Sequence, residues 1–263
     1  MLSCIIPSYK DPLLHKTIDS LLENAEGEIE IIAVLDGYWT KLIEDPRVRT
    51  LHLGKNMGMR GAINAGVSIA RGEFLMRMDE HQIVGKGYDR ILTETCQPNW
   101  IITPRRYFLD TVKWERMDLP PIDAMDLKIR GGKFCGVERK GSDEMIEEIQ
   151  AMQGSCWVMP YQWWNEVIGE LQTEGYGPLI QDSHEMVFKT WKAGGKLMVN
   201  KNTWHAHKHR SFPRTHNNGT KENPANCEAG YKYAIDTWGD YFKELQQKWY
   251  ENNYQARQSN IQP

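Results

Sequence analysis

The segment FLMRMDEH, residues 74–81, contains a short apolar run that stops at Asp79, with His81 two positions further along. Such a run is typical of a buried β-strand. In an extended backbone, residues i and i+2 point to the same side, so we expect Asp79 and His81 to face one ligand while Glu80 turns away. A carboxylate oxygen and an imidazole nitrogen suit a divalent cation such as Mn²⁺ that also binds phosphate oxygens. The alternative interpretation of Asp79 is a strand-end turn residue or a helix cap.

Strands and helices alternate along the first half of the chain, on both sides of this segment. Strands are predicted over residues 2–9, 28–37, 48–54, 72–81 and 101–108, and helices over residues 12–24 and 58–71. This order predicts an α/β fold with a mostly parallel central sheet flanked by helices. Ligands of such sheets bind beyond the carboxyl ends of the strands, where Asp36 and Asp79 both lie.

The second half of the chain has a weaker pattern. Residues 110–150 show no regular periodicity, whereas helices are predicted over residues 160–172, 182–193 and 228–254. The last of these carries apolar side chains at helical spacing, namely Tyr231, Ile235, Trp238, Phe242, Leu245 and Trp249. Because its opposite face is not rich in Lys and Arg, we expect this helix to pack on the main body rather than to bind a membrane.

The composition argues against several classes of protein. A net charge of −3 gives no general case for binding nucleic acid. Five dispersed cysteines without C-x-x-C spacing indicate reduced thiols in an intracellular compartment. No apolar run reaches the length of a membrane span. We therefore expect a soluble, cytoplasmic protein, in the host cytoplasm if its source is a virus.

Several short motifs of the first half occur in a family-specific order. They are IIPSY (5–9), LDG (35–37), N-x-G (56–58), a helix of small residues, GE (72–73) and a strand that ends in D-x-H. Together they resemble the nucleotide-binding half of a GT-A glycosyltransferase similar to family 2. The D-x-H ending is similar to that of the polypeptide N-acetylgalactosaminyltransferases.

The second half extends this resemblance to about residue 210. GSCWVM (154–159) resembles the family's Gly-Gly-aromatic strand, and DSHEMVFKTWKAGGKLMV (182–199) resembles its segment with two acids, a Trp and Gly-Gly before a strand. TWHAHKHR (203–210) is similar to the stretch that ends in G-H-x-x-R. The resemblance implies a GT-A domain over residues 1–225, with a nucleotide-binding half (1–105) and an acceptor and metal half (106–225).

The resemblance also implies roles for individual residues. The metal, Mn²⁺ or Mg²⁺, would be bound by Asp79, His81 and His207. The UDP-sugar donor would be bound by Pro7, Tyr9, Asp36, Arg60, Asn64, Asp79, Trp157, Lys208 and Arg210. Asp182 and Glu185 would face the sugar or the acceptor as catalytic groups. The basic, turn-rich stretch 208–221 is expected to form a lid over the donor, and residues 226–263 to form a C-terminal helix and tail packed on the domain.

Some of these assignments have structural alternatives. His205, His207 and His209 alternate, so they cannot all face one ligand, and His207 is favoured by its spacing from the Gly-Gly pair and by Arg210 after it. Asp182 is either a catalytic group, an N-cap of the following helix, or both. Trp157 either contacts the sugar or belongs to the core. Arg60 and Asn64 either support the diphosphate or only pack the helix.

The predicted activity is transfer of a sugar from a UDP-sugar to an acceptor hydroxyl, with inverting or retaining outcome left open. The acceptor is a glycan, a protein or a hydroxymethylated DNA base, the last as in some phage enzymes. Basic residues at 105–106 and 208–221 with many Trp and Tyr residues are mildly favourable to DNA. A non-catalytic module that binds a nucleotide, zinc or nucleic acid is the alternative of another class.

Overall fold

A computed structural model describes residues 1–41, 43–208 and 226–259 of the chain, and side chains as far as Trp249 in the last helix. Its strands are β1 (Leu2–Ser8), β2 (Ile29–Asp36), β3 (Val48–Leu53), β4 (Phe74–Met78), β5 (Gln82–Val84), β6 (Trp100–Asp110), β7 (Glu115–Arg116), β8 (Ala124–Arg130), β9 (Lys133–Arg139), β10 (Ile146–Glu148), β11 (Cys156–Pro160) and β12 (Lys196–His207). Its helices are α1 (Leu14–Asn24), α2 (Gly58–Ser68), α3 (Tyr88–Thr95), α4 (Tyr161–Trp163), α5 (Asp182–Lys192) and α6 (Cys227–Ser259). His209, Arg210 and all of the predicted lid except Lys208 lie outside the described residues.

Ten strands form one sheet, and its main path runs in the order β10-β12-β6-β11-β4-β1-β2-β3. The strands β1 to β4 are mutually parallel where they pair, and β12 is parallel to β6. Strand β11 joins the two groups by running antiparallel to both β4 and β6. The predicted α/β class is confirmed, and the sheet is mixed because β11 enters its centre in the opposite direction.

Helices cover both faces of the sheet, which explains the continuous apolar runs of its inner strands. Along β1, Ile5 belongs to the core cluster on the α2 face, whereas Cys4 and Ile6 belong to the cluster on the α1 and α3 face. The small residues of α2 permit its close approach, because a Cβ at Gly66 would lie 2.5 Å from Ile5 Cγ2. The small residues of α2 are therefore a packing feature of this helix.

The region 110–150, where the sequence pattern is less regular, contains a hairpin of β8 and β9. Its turn is Gly131-Gly132, with φ of 55° and 72°, values that glycine adopts readily. The Gly-Gly pair was the sequence signal for this turn. The hairpin matters for function because one of its strands forms a wall of the cavity described below.

Helix α6 packs on the main body through the predicted apolar stripe. The Trp238 ring stacks on Phe188 of α5 at 5.3 Å, and Phe242 lies 5.5 Å from Phe134 of the hairpin. This confirms the predicted C-terminal helix and shows that it holds α5 and the hairpin together. None of the helices described here combines the length and the hydropathy needed to cross a bilayer.

The predicted helix over residues 160–172 is shorter than expected. It consists of α4 followed by a π-helical turn, Trp164–Ile168, and ends at Gly169 with φ of 62°. The backbone N–H of Gly169 donates to the carbonyl of Trp164 and closes the turn. Residues 170–181 then cross the surface as a loop to the start of α5.

Candidate metal and sugar-transfer site

Three side chains from distant parts of the chain meet at the carboxyl ends of β4 and β12. Asp79 directly follows β4, and His207 is the last residue of β12. His81 lies between β4 and β5, and β5 pairs with β12 next to His207. Ligand atoms of the three side chains lie within 4.8 Å of one another, and His207 Nε2 is 3.0 Å from Asp79 Oδ2. The structure therefore brings together the three residues that the sequence predicted as metal ligands.

The protonation states of this cluster suit a cation. Burial alone would raise the pKa of Asp79, but the Arg77 guanidinium 2.5 Å away, together with His207, holds that pKa well below its usual value. Burial lowers the pKa of His207 to about 4, although Asp79 opposes the shift. At neutral pH the cluster therefore offers an ionised carboxylate and a neutral imidazole with a free lone pair.

Asp11 fixes the orientation of His81. Its Oδ2 lies 3.0 Å from His81 Nδ1, which donates its proton to the carboxylate. That hydrogen bond leaves His81 Nε2 as the lone-pair nitrogen, and Nε2 is buried without a hydrogen-bond partner. A carboxylate that holds the far nitrogen of an imidazole is the common second layer of a metal site. Asp11 was missed from the sequence, where the only signal was an acid shortly after β1.

The donor set fits a divalent cation. His81 Nε2 and both nitrogens of His207 are buried and have no hydrogen-bond partner with good geometry among the described residues. Two imidazoles and one carboxylate suit Mn²⁺ and related ions. Glu80 does not turn away as expected, because a ligand atom of its carboxylate lies within 4.8 Å of those of Asp11 and His81, a second group that could hold a cation. Its Oε2 also accepts the backbone N–H of Tyr9 at 3.0 Å, which ties the β1 end to the loop after β4.

A cavity of about 450 Å³ opens beside Asp79 and His207. Its walls come from the hairpin strand β9, residues 152–155 and the first residues of α5. The charged side chains that line it, apart from the cluster itself, are Arg77, Arg106, Lys133 and Asp182. The cavity is large enough for a sugar ring and part of an acceptor.

Asp182 is the carboxylate of this cavity that lies outside the cluster. It is 5% exposed, and its Oδ2 is buried with no hydrogen-bond partner among the described residues. It is the first residue of α5, whose N-cap is Gln181 in the left-handed region at φ of 58°, so the N-cap interpretation of Asp182 is wrong by one position. Gln181 Nε2 donates to the carbonyl of Phe134 at 3.2 Å and fixes this end of α5 to the hairpin.

Arg60 and Glu185 form a buried ion pair away from the cavity. Both side chains are almost fully buried, and neither is among the described residues that line the cavity. Arg60 also donates to the carbonyls of Gln172 and Ile180, each at 2.9 Å. Lys189 approaches Glu185 to 2.8 Å. The pair therefore ties helix α2 to α5, and the two hydrogen bonds tie α2 to the loop before α5.

Two other predicted donor residues, Asn64 and Asp36, are also occupied by structural contacts. Asn64 makes two hydrogen bonds of 2.9 Å with the backbone of Leu171. Asp36 accepts the backbone N–H groups of Met57 at 2.6 Å and Gly58 at 2.8 Å, which caps helix α2 from the end of β2.

Trp157 is fully buried and stacks on Trp164 with ring centroids 6.0 Å apart. The core interpretation of this residue is therefore the one that the structure favours.

The remaining predicted donor residues lie at the end of β1 or beside His81. Pro7 and Tyr9 are half-buried, and the Tyr9 ring lies edge-on to Tyr38 at 6.2 Å. The backbone N–H of Lys208 donates to the carbonyl of His81 at 3.2 Å, which places Lys208 next to the cluster. Arg210 lies outside the described residues.

Arg77 and Arg106 were not predicted as site residues. Arg77 lies in β4, whose other residues are apolar, and it is almost fully buried against Asp79. Arg106 lies in β6 and faces the cavity. The sequence signal for both was a cation inside a predicted buried strand, which needs a partner or a ligand.

Comparisons with known proteins agree with this geometry. Residues 3–133 match Glycosyl transferase family 2. The uncharacterized glycosyltransferase EpsJ of Bacillus subtilis (strain 168) is 33% identical over 108 residues, which is 38% of this chain and 31% of EpsJ. The glycosyltransferase GlyG of Streptococcus pneumoniae serotype 4 is 29% identical over 106 residues, 37% of this chain and 35% of GlyG. The matched region of the chain thus spans about a third of the length of each of these curated relatives.

The fold also matches a solved structure. The crystal structure of GalNAc-T7 with UDP, GalNAc and Mn²⁺ superposes with a TM-score of 0.74 over 92% of this chain and 50% of that chain, at 15% sequence identity. At that identity the likeness establishes the fold alone. The family match and the shared fold together show a chain of the GT-A fold whose residues 3–133 match Glycosyl transferase family 2.

Proposed function

We propose that the protein transfers a sugar from a UDP-sugar to an acceptor hydroxyl with the help of a divalent cation, Mn²⁺ or Mg²⁺. The observation that carries this proposal is the convergence of Asp79, His81 and His207 beside a cavity of suitable size. The structural neighbour GalNAc-T7, which was crystallised with UDP, GalNAc and Mn²⁺, supports the choice of donor and cation.

Transfer breaks the bond between the anomeric carbon and the diphosphate, and negative charge grows on the leaving oxygen. A bound cation supplies Lewis acidity there, which is worth several kcal/mol in such reactions. Asp79 and the two imidazoles would hold the cation, while Arg77 keeps the Asp79 carboxylate ionised and in place. Asp11 keeps His81 in the tautomer whose Nε2 can bind.

Asp182 is suited to take the proton of the acceptor hydroxyl. Its carboxylate lines the same cavity as Asp79, and one of its oxygens has no hydrogen-bond partner in the part of the chain that the structure describes. A general base at this position would give an inverting reaction by direct displacement. The walls from β9 and α5 would exclude water from the reacting centre.

We propose a smaller set of residues in direct contact with the UDP-sugar donor. Pro7 and Tyr9 are proposed to line the nucleotide pocket at the end of β1, with Lys208 and Arg210 near the diphosphate. Asp36 would shape this pocket by holding the start of α2 rather than by touching the base. Arg60, Asn64, Glu185 and Trp157 are assigned to the framework that supports the site.

Metal-dependent binding of UDP tests the proposed function. UDP is expected to raise the melting temperature of the protein in the presence of Mn²⁺, because a ligand at 100 times its dissociation constant stabilises the folded state by about 2.7 kcal/mol. The shift should disappear with a chelator and in His207→Ala, measured by differential scanning fluorimetry. His15→Ala, a histidine of α1, serves as the control and should keep the shift. An equal shift with the chelator present would contradict the proposal.

Asp11→Asn is expected to weaken Mn²⁺ binding while it leaves the three proposed ligands, Asp79, His81 and His207, in place. Loss of the carboxylate behind a ligating imidazole lowers metal affinity about 10- to 100-fold in known sites. A titration of Mn²⁺ at fixed UDP should show this weakening, and saturating Mn²⁺ should restore UDP binding. Asp19→Asn, an exposed acid of α1, should leave the titration unchanged. Unaltered Mn²⁺ affinity in Asp11→Asn would mean that His81 does not bind the cation.

A further inference from the structure

Arg106 is a buried cation whose guanidinium lies over the Phe108 ring, 5.5 Å from the ring centre, and has no oppositely charged partner among the described residues. It is 5% exposed and lines the cavity, and its Nε is buried without a hydrogen-bond partner. Its backbone pairs with Ile122. Among the described residues, none makes a hydrogen bond to its guanidinium or an ion pair with it within 4.0 Å. Glu138 and Asp79 act on it only from a longer distance.

Other buried cations of this protein are compensated. Arg60 pairs with Glu185, Arg77 lies 2.5 Å from Asp79, and Lys201 lies 2.7 Å from Glu147. An unpaired charge in such a place is costly, and burial accordingly lowers the pKa of Arg106. A guanidinium that faces a cavity under these conditions is suited to an anionic ligand, which it binds through two parallel N–H groups.

The position of Arg106 in the sheet separates it from the nucleotide side. Strands β1 and β2 lie on one side of β4, whereas β6 lies two strands away on the other side. Neighbouring strands are about 4.8 Å apart, so β6 is about 10 Å from β4. Neither Pro7 nor Tyr9 is among the described residues that line the cavity of Arg106. An anion at Arg106 would therefore lie away from the nucleoside, on the side of the sugar and the acceptor. Since Asp79 and His207 line the same cavity, the diphosphate is the competing anion, which the experiment below separates from an anion on the sugar or the acceptor.

The other charges of the cavity leave room for an anion. Arg77 is neutralised by Asp79, and the cation proposed for the metal site would add further positive charge. Lys133 supplies a second cation in the wall, with its Nζ 5.0 Å from the centre of the Tyr231 ring. Asp182 is the opposing carboxylate, and as the proposed base it would face the acceptor hydroxyl.

We propose that Arg106 binds a carboxylate or a phosphate carried by the sugar or by the acceptor, so that the enzyme acts on an acidic sugar substrate. The inference rests on the proposed function in that it places this substrate in the same cavity. Arg106 would act as a specificity residue, because a neutral substrate would leave its charge unpaired.

Binding of small probes tests this inference. The full-length protein with Mn²⁺ and UDP is titrated with glucuronate, glucose 6-phosphate and glucose by isothermal titration calorimetry. At least one of the two acids is expected to bind about tenfold or more tightly than glucose, since a hydrogen bond to a charged group is worth about 1.5–3 kcal/mol. Arg106→Gln should remove that preference while UDP affinity stays within about twofold. Equal binding of acids and glucose to the wild type would overturn the inference.

Two further arms locate the anion. The binding affinities of UDP-glucuronate and UDP-glucose are compared in the wild type and in Arg106→Gln. Tighter binding of UDP-glucuronate that is lost in Arg106→Gln would place the acid on the transferred sugar. A preference seen only with free glucuronate or glucose 6-phosphate would place it on the acceptor. A loss of UDP affinity in Arg106→Gln would instead show that Arg106 binds the diphosphate, and the inference would be wrong.

A matched control is the adjacent Arg105, which is partly exposed and paired with Asp123 at 2.6 Å. Arg105→Gln is expected to keep the preference for acids. Far-UV circular dichroism checks the fold of each variant, and Arg106→Lys should retain part of the preference. Absence of Mn²⁺-dependent UDP binding in the wild type would count against the proposed function alone, because the acids can also be titrated without UDP.

Discussion

Asp182→Asn is expected to lower the rate of UDP-sugar hydrolysis, with water as the acceptor, about 10³-fold. The asparagine keeps the size of the side chain, but its amide cannot take a proton from the attacking hydroxyl. Binding of UDP and Mn²⁺ should be unaffected, since the metal ligands lie in β12 and the loop after β4. The prediction separates the chemical step from donor binding.

The rate is measured as UDP release, with the UDP-sugar that gives the fastest release in a screen of donors. The dissociation constant of UDP is measured on the same samples. Asp19→Asn is the control and should match the wild type in both measurements. If Asp182→Asn keeps the wild-type rate, another group takes the proton, and the leaving phosphate oxygen of a retaining reaction becomes the candidate.

Arg60→Met is expected to lower the free energy of unfolding by about 3–5 kcal/mol, the usual effect of removing one partner of a buried ion pair. The Glu185 carboxylate would remain buried with Lys189 as its principal partner. Two carbonyl groups, those of Gln172 and Ile180, would lose their hydrogen-bond donors. The loop before α5, which leads to Asp182, would then keep its contacts to α2 through Asn64 and the Arg60 backbone but lose those to the Arg60 side chain.

Urea unfolding, followed by tryptophan fluorescence, measures this change. Arg90→Met removes an exposed ion pair with Glu26 and should change the free energy of unfolding by less than about 1 kcal/mol. The double variant Arg60→Met with Glu185→Leu should recover part of the loss, because no unpaired charge remains. A Glu185→Gln variant with wild-type stability and a large loss of hydrolysis rate would restore the catalytic role that the sequence suggested for Glu185.

Much of the fold could be predicted from the sequence because its signals are local. The apolar runs of β1, β2 and β4 and the small residues of α2 each constrain their own segment. The order of these segments then restricts the topology to a layered α/β arrangement. The antiparallel entry of β11 was not predictable in this way, because strand direction in a sheet depends on pairing between distant segments.

The roles of some residues of the candidate site could be predicted from the sequence, whereas the roles of others could not. Asp79 and His81 are two residues apart in an extended segment, so the pattern alone places them on one side. Asp36, Asn64 and Arg60 are polar residues at positions where a ligand contact and a contact to the backbone are equally compatible with the sequence. Which role applies depends on the backbone groups that the tertiary fold brings near, and here those groups belong to the start of α2 and the loop before α5.

The position of His207 at the end of β12 has a consequence for the folding of the chain during its synthesis on the ribosome. Strand β12 must insert between β6 and β10 before its final imidazole can reach Asp79. A nascent chain of which only the first half has left the ribosome, including the whole family 2 match, would contain two of the three proposed ligands. Its metal site would be incomplete. Binding of the cation would thus occur late in synthesis, after β12 has paired with β6 and β10 in the central sheet.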